Sequence, residues 1–217
     1  MAGFRPAGAK QGAAIDADGA IDKAAPAADP AAMTILGAIF AGGAARRFGG
    51  DKHAAPIDGR AMIDHVADRL RPQCAELVVI GRIWPGFLCV EDAPLPGLGP
   101  LGALAGAMHY ALAAGHDLVL TSGCDLPDLP LDLAALLAPA PAVIQGQPLL
   151  GLWPASMAGP LVAWLEQDGD RAMRSWIAQN NVRRVALKAD PANINTVAEL
   201  DRYRASLTPP AGPRSSR

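Results

Sequence analysis

Short, unbroken apolar runs alternate with stretches of helical period from residue 34 onward. The run 34–40, T-I-L-G-A-I-F, has the length and composition of a strand buried on both faces, the kind found in parallel sheets. Residues 61–71 then place Met62, Ile63, Val66 and Leu70 on one helical face, and Pro72 closes that helix. Runs at 77–80, 87–90 and 118–121 predict further buried strands, with a helix over 101–114 between the last two. A helix is expected from near Leu131, short strands at 142–145 and 149–153, helices at 157–167 and 171–180, and a late strand at 182–187. Asp168 or Asp170 is the expected cap of the 171–180 helix, and Thr196 with Glu199 three residues on is a capping box that opens a last helix. This βαβ rhythm predicts an α/β fold built on a single doubly wound, mostly parallel sheet.

Composition separates that region from the two ends. Residues 1–32 are mostly Ala, Pro, Gly and Asp, and such a segment buries too little surface to offset its ordering entropy. They are read as a disordered N-terminal extension, or as lying ahead of a natural start at Met33, and 208–217 as a disordered tail around a domain at 33–207. The extension lacks the apolar centre of a secretory signal. The whole chain, at 51% hydrophobic and 18% charged residues, has a globular composition, and 217 residues suit one α/β domain better than two. A net charge of −2 gives no support to a nucleic-acid-binding surface. The longest apolar stretch, 98–114, is broken by glycines and Pro100 and falls short of a membrane span. Three scattered cysteines without a C-x-x-C suggest reduced thiols and a cytoplasmic setting.

The candidate chemistry begins where the first strand ends. Gly42-Gly43 permits a sharp turn that brings backbone N–H groups close to a ligand, and Arg46, Arg47 and Lys52 follow within ten residues. Such a loop at the carboxyl end of a parallel strand suits a polyanion, and nucleotide phosphate is the commonest. It is not a Walker A sequence, because Lys52 follows Asp51 and precedes His53. A literal G-x-G-x-x-G at Gly97, Gly99 and Gly102 is set aside as a dinucleotide fingerprint: Pro94 and Pro96 separate it from its strand, and Pro100 removes an N–H the pyrophosphate would need. Asp125, after the 118–121 strand and pinned by Leu126-Pro127, is placed to hold Mg²⁺ against a phosphate. Asp128 is the more structural acid, and Cys124 reads as a small buried hydrophobe. Trp164, Met173, Trp176 and Ile177 read as core.

Four strings in order carry a resemblance. Phe40-Ala41-Gly42-Gly43 with Arg47-Phe48-Gly49 and Asp51-Lys52 resembles the L-A-G-G-x-x-x-R-[FM]-G-x-D-K signature of the molybdenum cofactor guanylyltransferases. Asp92 followed by Gly99-Pro100-Leu101-Gly102-Ala103-Leu104 resembles their acid and G-P-L-x-G-[IL] loop, Cys124-Asp125-Leu126-Pro127 their C-D-x-P, and Asn193-Ile194-Asn195-Thr196 their N-x-N-T. A weaker match is Gln147-Pro148-Leu149, where the family places a turn beside the pterin-side cleft. The resemblance implies a Rossmann-like nucleotidyltransferase fold and transfer of GMP from GTP to the terminal phosphate of molybdenum-molybdopterin, with release of pyrophosphate. It implies that the backbone of Phe40, Ala41, Gly42 and Gly43 holds phosphate, that Arg47 and Lys52 neutralise charge growing at the reacting phosphates, and that Asp125 carries Mg²⁺. It further implies that Asp92 contacts guanine, whose N1–H and 2-amino group suit one carboxylate, and that Asn193 and Asn195 face the cleft. Implied partners are GTP, molybdenum-molybdopterin and molybdoenzymes or cofactor-insertion proteins, with no nucleic acid and no membrane. The chain departs from the family's pattern at Gly81, where many relatives carry asparagine, at His53-Ala54-Ala55, and at Val197 and Ala198. Two rival readings are a cytidylyltransferase on the same pterin, against which Ala41-Gly42-Gly43 speaks, and a nucleotide-binding regulator without turnover.

Overall fold

A computed structural model describes residues 33–42, 48, 52–167 and 170–207. The expected extension at 1–32, the expected tail at 208–217, and Gly43, Arg46, Arg47 and Asp168 lie outside the described residues.

The central strand is β1 (Ile35–Phe40), and its side chains alternate between two cores as a pleated strand requires. Leu36, Ala38 and Phe40 face one apolar layer, whereas Ile39 faces the other. Helices supply both layers. On the first side lie α2 (Gly99–Ala114), α4 (Ala158–Leu165) and α5 (Met173–Gln179), through Leu104, Met108, Leu161 and Trp176. On the second lie α1 (Met62–Leu70) and the short α3 (Leu133–Leu137), through Ile63, Val66, Leu70 and Leu133. A sheet buried on both faces explains why its central strands read as continuous apolar runs.

Beside β1 run β4 (Glu76–Ile80) and β6 (Leu118–Gly123), both parallel to it, and β5 (Leu88–Val90) extends the parallel set beyond β4. The chain therefore steps from β1 to one side and then crosses to the other, which opens a crevice at the carboxyl ends of these strands. Beyond β6 come β8 (Gln147–Pro154), β7 (Ala142–Ile144) and β9 (Arg183–Val185), giving the order β5-β4-β1-β6-β8-β7-β9. Strand β8 is antiparallel to both neighbours, so the sheet is mostly parallel with one reversed strand. The expected strand at 149–153 starts earlier, at Gln147, because Gly146 takes φ +81° and turns the chain straight from β7 into β8. The expected 182–187 strand is shorter, and the 157–167 helix is preceded by a single 3₁₀ turn at Ala155–Met157.

A small hairpin, β2 (Pro56–Ile57) with β3 (Arg60–Ala61), turns at Asp58-Gly59, both with positive φ as a two-residue hairpin requires. It is roofed by α6 (Val197–Leu207): Ile57 and Met62 pack with Ile194 and Leu200, while Phe48 and Tyr203 lie against them. The final segment of the fold thus returns to the stretch that follows Lys52. Among the described residues no helix is long and apolar enough to cross a membrane.

Candidate active site

Four parallel strands end at the same edge of the sheet, and the chemistry-bearing residues sit just beyond them. At the end of β1, Ala41 donates its N–H to the Ile80 carbonyl (3.0 Å) and the Phe40 carbonyl accepts the N–H of Cys124 (3.3 Å). The three strand ends are thereby laced together. This corrects one expectation: the amide of Ala41 is committed to the sheet, so backbone donors toward a ligand begin at Gly42, which is exposed. Gly42 lies back to back with Gly81, since a Cβ on Gly81 would stand 3.1 Å from the Gly42 Cα. Gly81 has φ +79°, a region that favours glycine, and an added Cβ there would press on the Gly42 backbone.

Lys52 is almost fully buried, and its ammonium donates to Asp125 Oδ2 (2.8 Å) and to Asn195 Oδ1 (2.7 Å). Residues 73 and 143 positions away in the chain thus meet at one cation. Each partner is fixed in turn. Asn195 donates from its Nδ2 to Asn193 Oδ1 (2.6 Å), and its backbone N–H donates to Glu199 Oε2 (2.7 Å). Glu199 also accepts from the Thr196 N–H (2.9 Å), and Thr196 Oγ1 accepts from the Glu199 N–H (3.2 Å), which is the capping box expected from the sequence. The backbone hydrogen bond from Asn195 leads the contacts that hold the Glu199 carboxyl below its ordinary range. The Asp125 carbonyl accepts from Ile194 N–H (3.0 Å) and the Asp128 carboxylate from Ala192 N–H (2.8 Å), so the loop after β6 clamps the asparagine segment at two points.

Gly123 makes room for the Asp125 carboxylate: a Cβ there would stand 2.4 Å from Oδ1. Cys124 between them is buried, and burial, followed by the negative charge of Asp125, pushes its thiol up to about 12. Cys74 is pushed up to about 12 by burial. A thiol held protonated in this way is no nucleophile at neutral pH.

Asp92 stands past the end of β5. Its Oδ2 accepts the Gly97 N–H (3.2 Å), and its Oδ1 lies 3.5 Å from where a Gly81 Cβ would be. Helix α2 supports it from below through two glycines one turn apart. A Cβ on Gly106 would stand 2.1 Å from the Glu91 carbonyl oxygen, and one on Gly102 3.4 Å from the Asp92 Cβ. Of the glycines that imitate a dinucleotide fingerprint, Gly102 is therefore part of a bare helix face, shared with Gly106, on which the acid's backbone rests. Sequence reasoning missed that role, and the four-residue spacing of Gly102 and Gly106 was its signal. Another feature it missed is the pair formed by buried His53, at Nδ1, and Arg82 Nη1 (2.7 Å).

The structure thus brings Lys52, Asp125, Asn193 and Asn195 together, and sets Phe40, Ala41, Gly42 and Asp92 around the same strand ends. Among the described residues no group of three or more His, Cys, Asp or Glu side chains is arranged to hold a metal. A single carboxylate fits Mg²⁺, which commonly takes one or two protein carboxylates and fills its sphere with water and substrate phosphate.

A mostly parallel sheet with helices on both faces and this crevice defines a Rossmann-like α/β fold of the nucleotidyltransferase type. A solved structure of molybdopterin-guanine dinucleotide biosynthesis protein A from Archaeoglobus fulgidus superposes with a TM-score of 0.62 at 20% identity, covering 79% of this chain and 98% of that one. The chain belongs to the MobA-like NTP transferase domain family, whose model matches residues 37–185. Relatives include the molybdenum cofactor guanylyltransferase of Acidiphilium cryptum, 35% identical over 192 residues (82% of this chain, 98% of the relative). That of Cereibacter sphaeroides is 33% identical over 186 residues (80% and 96%).

Proposed function

We propose that the protein transfers GMP from GTP to the terminal phosphate of molybdenum-molybdopterin and releases pyrophosphate, as a step of molybdenum cofactor biosynthesis in the cytoplasm. The observation that carries the reading is the meeting of Lys52, Asp125 and Asn195 at the edge where β1 and β6 end. Two relatives named molybdenum cofactor guanylyltransferase that share about a third of its residues supply the substrate class.

In this scheme the N–H groups of Gly42 and Gly43 receive the β- and γ-phosphates, and Arg47 and Lys52 neutralise charge growing on the α-phosphorus and the leaving group. Asp92 accepts from the N1–H and 2-amino group of guanine. Mg²⁺, held by Asp125 and the triphosphate, would supply neutralisation of phosphate charge. An oxygen of the acceptor phosphate forms a bond to the α-phosphorus as the bond from that phosphorus to the α–β bridging oxygen breaks. The electron pair leaves with pyrophosphate. The attacking oxygen is already an anion, so no protein base or covalent nucleophile is needed, and catalysis is alignment plus stabilisation of charge. Asn195, by holding Lys52 together with Asp125, keeps the ammonium in the crevice rather than in solvent.

The test is pyrophosphate release from each nucleoside triphosphate with Mg²⁺ and molybdenum-loaded molybdopterin. GTP is expected to support it, and Asp125→Asn to lower the rate about 10²-fold to 10³-fold while the fold is kept. Release from CTP in place of GTP would make the protein a cytidylyltransferase. Release equal to background, unchanged by Asp125→Asn, would leave only a nucleotide-binding regulator.

A further inference from the structure

A capping box asks one bond of its carboxylate, from the third helical position back to the N–H of the cap residue. Thr196, directly before α6, is that residue, and its N–H donates to Glu199 Oε2 at 2.9 Å. The same oxygen also receives the N–H of Asn195, one residue farther out, and this bond is the shorter of the two at 2.7 Å. Starting the helix does not require it. The first turn of α6 holds no other acid, so no neighbouring carboxylate can take the place of Glu199.

The extra bond fixes the backbone of the residue whose side chain holds Lys52. Asn195 Oδ1 receives the ammonium at 2.7 Å, while Asn195 Nδ2 donates to Asn193 Oδ1 at 2.6 Å. One residue earlier, the Ile194 N–H is held at 3.0 Å by the carbonyl of Asp125. The backbone at Asn195 is therefore gripped from two directions, by the loop that carries Asp125 and by Glu199. Short bonds from N–H groups to a carboxylate are the stiffer kind. Lysine has a flexible four-carbon stem, so the place of its ammonium is set by whatever accepts from it, here Asp125 and Asn195. Resting on the guanylyl-transfer reading, we propose that Glu199 is a positioning residue of the site, which sets Asn195 and through it the Lys52 ammonium. It touches neither the lysine nor the substrate in this role. Its length matters, because the carboxylate must reach past the cap to the N–H of Asn195.

The experiment measures kcat and KM for pyrophosphate release by the full chain, with GTP, Mg²⁺ and molybdenum-loaded molybdopterin, beside the melting temperature of each variant. Glu199→Asp keeps a negative charge in the first turn of α6 but is one methylene shorter. It is expected to lower kcat about tenfold, with the KM for GTP changed by less than about twofold. Glu199→Gln, which keeps the length and an accepting oxygen, is expected to recover most of that loss. Thr196→Val is the control for the helix itself. It removes the Oγ1 that accepts from the Glu199 N–H at 3.2 Å and leaves the reach to Asn195 intact, so it is expected to melt lower at a kcat near the wild type's. In an Asn195→Ala background Glu199→Asp is expected to cost nothing further, because the residue it acts through is gone. A wild-type kcat in Glu199→Asp overturns the proposal. So does an equal loss of kcat in Thr196→Val, which would make Glu199 a helix cap and nothing more, and so do losses that add in the double variant. If Glu199→Asp fails to fold, Glu199→Ala and Glu199→Gln decide by the same comparison, since only a residue that positions by reach loses rate as alanine and regains it as glutamine. A wild type that releases no pyrophosphate from GTP takes down the guanylyl-transfer reading and this inference together. A wild type that does, beside an unimpaired Glu199→Asp, takes down the inference alone.

Discussion

At the scale of single residues, the site depends on side chains that are absent as much as on those present. Lys52 and Asp125 were legible because their types and neighbours fit a phosphate site. Gly123 was not legible, since a glycine at the end of a strand has many uses. Its role follows from the 2.4 Å between an added Cβ and Asp125 Oδ1. In Gly123→Ala the carboxylate must swing away while the strand beneath keeps its hydrogen bonds to β1. A displacement of about 1 Å at a group that orients reactants costs on the order of 10²-fold in rate. The expected result is a fall in kcat for pyrophosphate release of about that size, with the melting temperature much less affected. Asn195 marks the same limit from the other direction. Its string was legible as a helix start with asparagines, but the bond to Lys52 spans 143 positions, and nothing local in the sequence reports a contact of that range.

At the scale of elements, helix α2 and strand β4 each do something their apolar patterns do not show. The α2 sequence is apolar nearly all round, which announces burial and little else. What it buries against is decided by Gly102 and Gly106, which let the backbone of Glu91 and Asp92 lie directly on the helix. Gly106→Ala would gain helix propensity, yet it puts a methyl 2.1 Å from a carbonyl oxygen, so overpacking dominates. The variant is expected to lose about 1–3 kcal/mol in urea unfolding and, because Asp92 moves with the loop, to raise the KM for GTP more than it lowers kcat. Strand β4 opens with Glu76, which accepts from Tyr110 (2.7 Å) and pairs with His116 Nε2 (3.0 Å) around the far end of α2. The hydrogen bond from His116, then that from Tyr110, holds the Glu76 carboxyl below its ordinary range. A carboxyl whose folded pKa is depressed contributes stability that is present above its unfolded value and is lost as pH falls through the folded one. Glu76→Gln is thus expected to melt lower than the wild type near neutral pH, and the gap to close as the solution is acidified below the ordinary glutamate range. The gap will be small, because the carboxylate is more than a third exposed and solvent screens it.

At the scale of the whole molecule, the path of the chain explains why the site is larger than the matched family region. The doubly wound character was legible because strands buried on both faces lose the alternation of polar and apolar residues. The reversal of β8 was not, since strand direction leaves no mark on a short apolar run. The family model covers residues 37–185, which takes in Lys52, Asp92 and Asp125. Asn193 and Asn195 lie beyond it, in the segment that the loop after β6 clamps through Ile194 and Ala192. Helix α6 then packs Leu200 onto Ile57 and Met62, and Arg204 donates to the Pro56 carbonyl through Nε (2.9 Å) and Nη2. A chain ending at 185 would keep every strand of the large sheet. It would still leave the Lys52 ammonium without Asn195 and expose the apolar floor under the β2–β3 hairpin. The described packing therefore continues through α6 to Leu207, and at its other end Thr34 bonds Asp117 just ahead of β1. Residues 33–207 alone are expected to melt cooperatively and to release pyrophosphate from GTP at the full-length rate. Residues 33–185 are expected to melt lower and to show little activity. Equal rates for the two shortened chains, measured with the same preparation of molybdenum-loaded molybdopterin, would mean that Lys52 and Asp125 act without the asparagine segment.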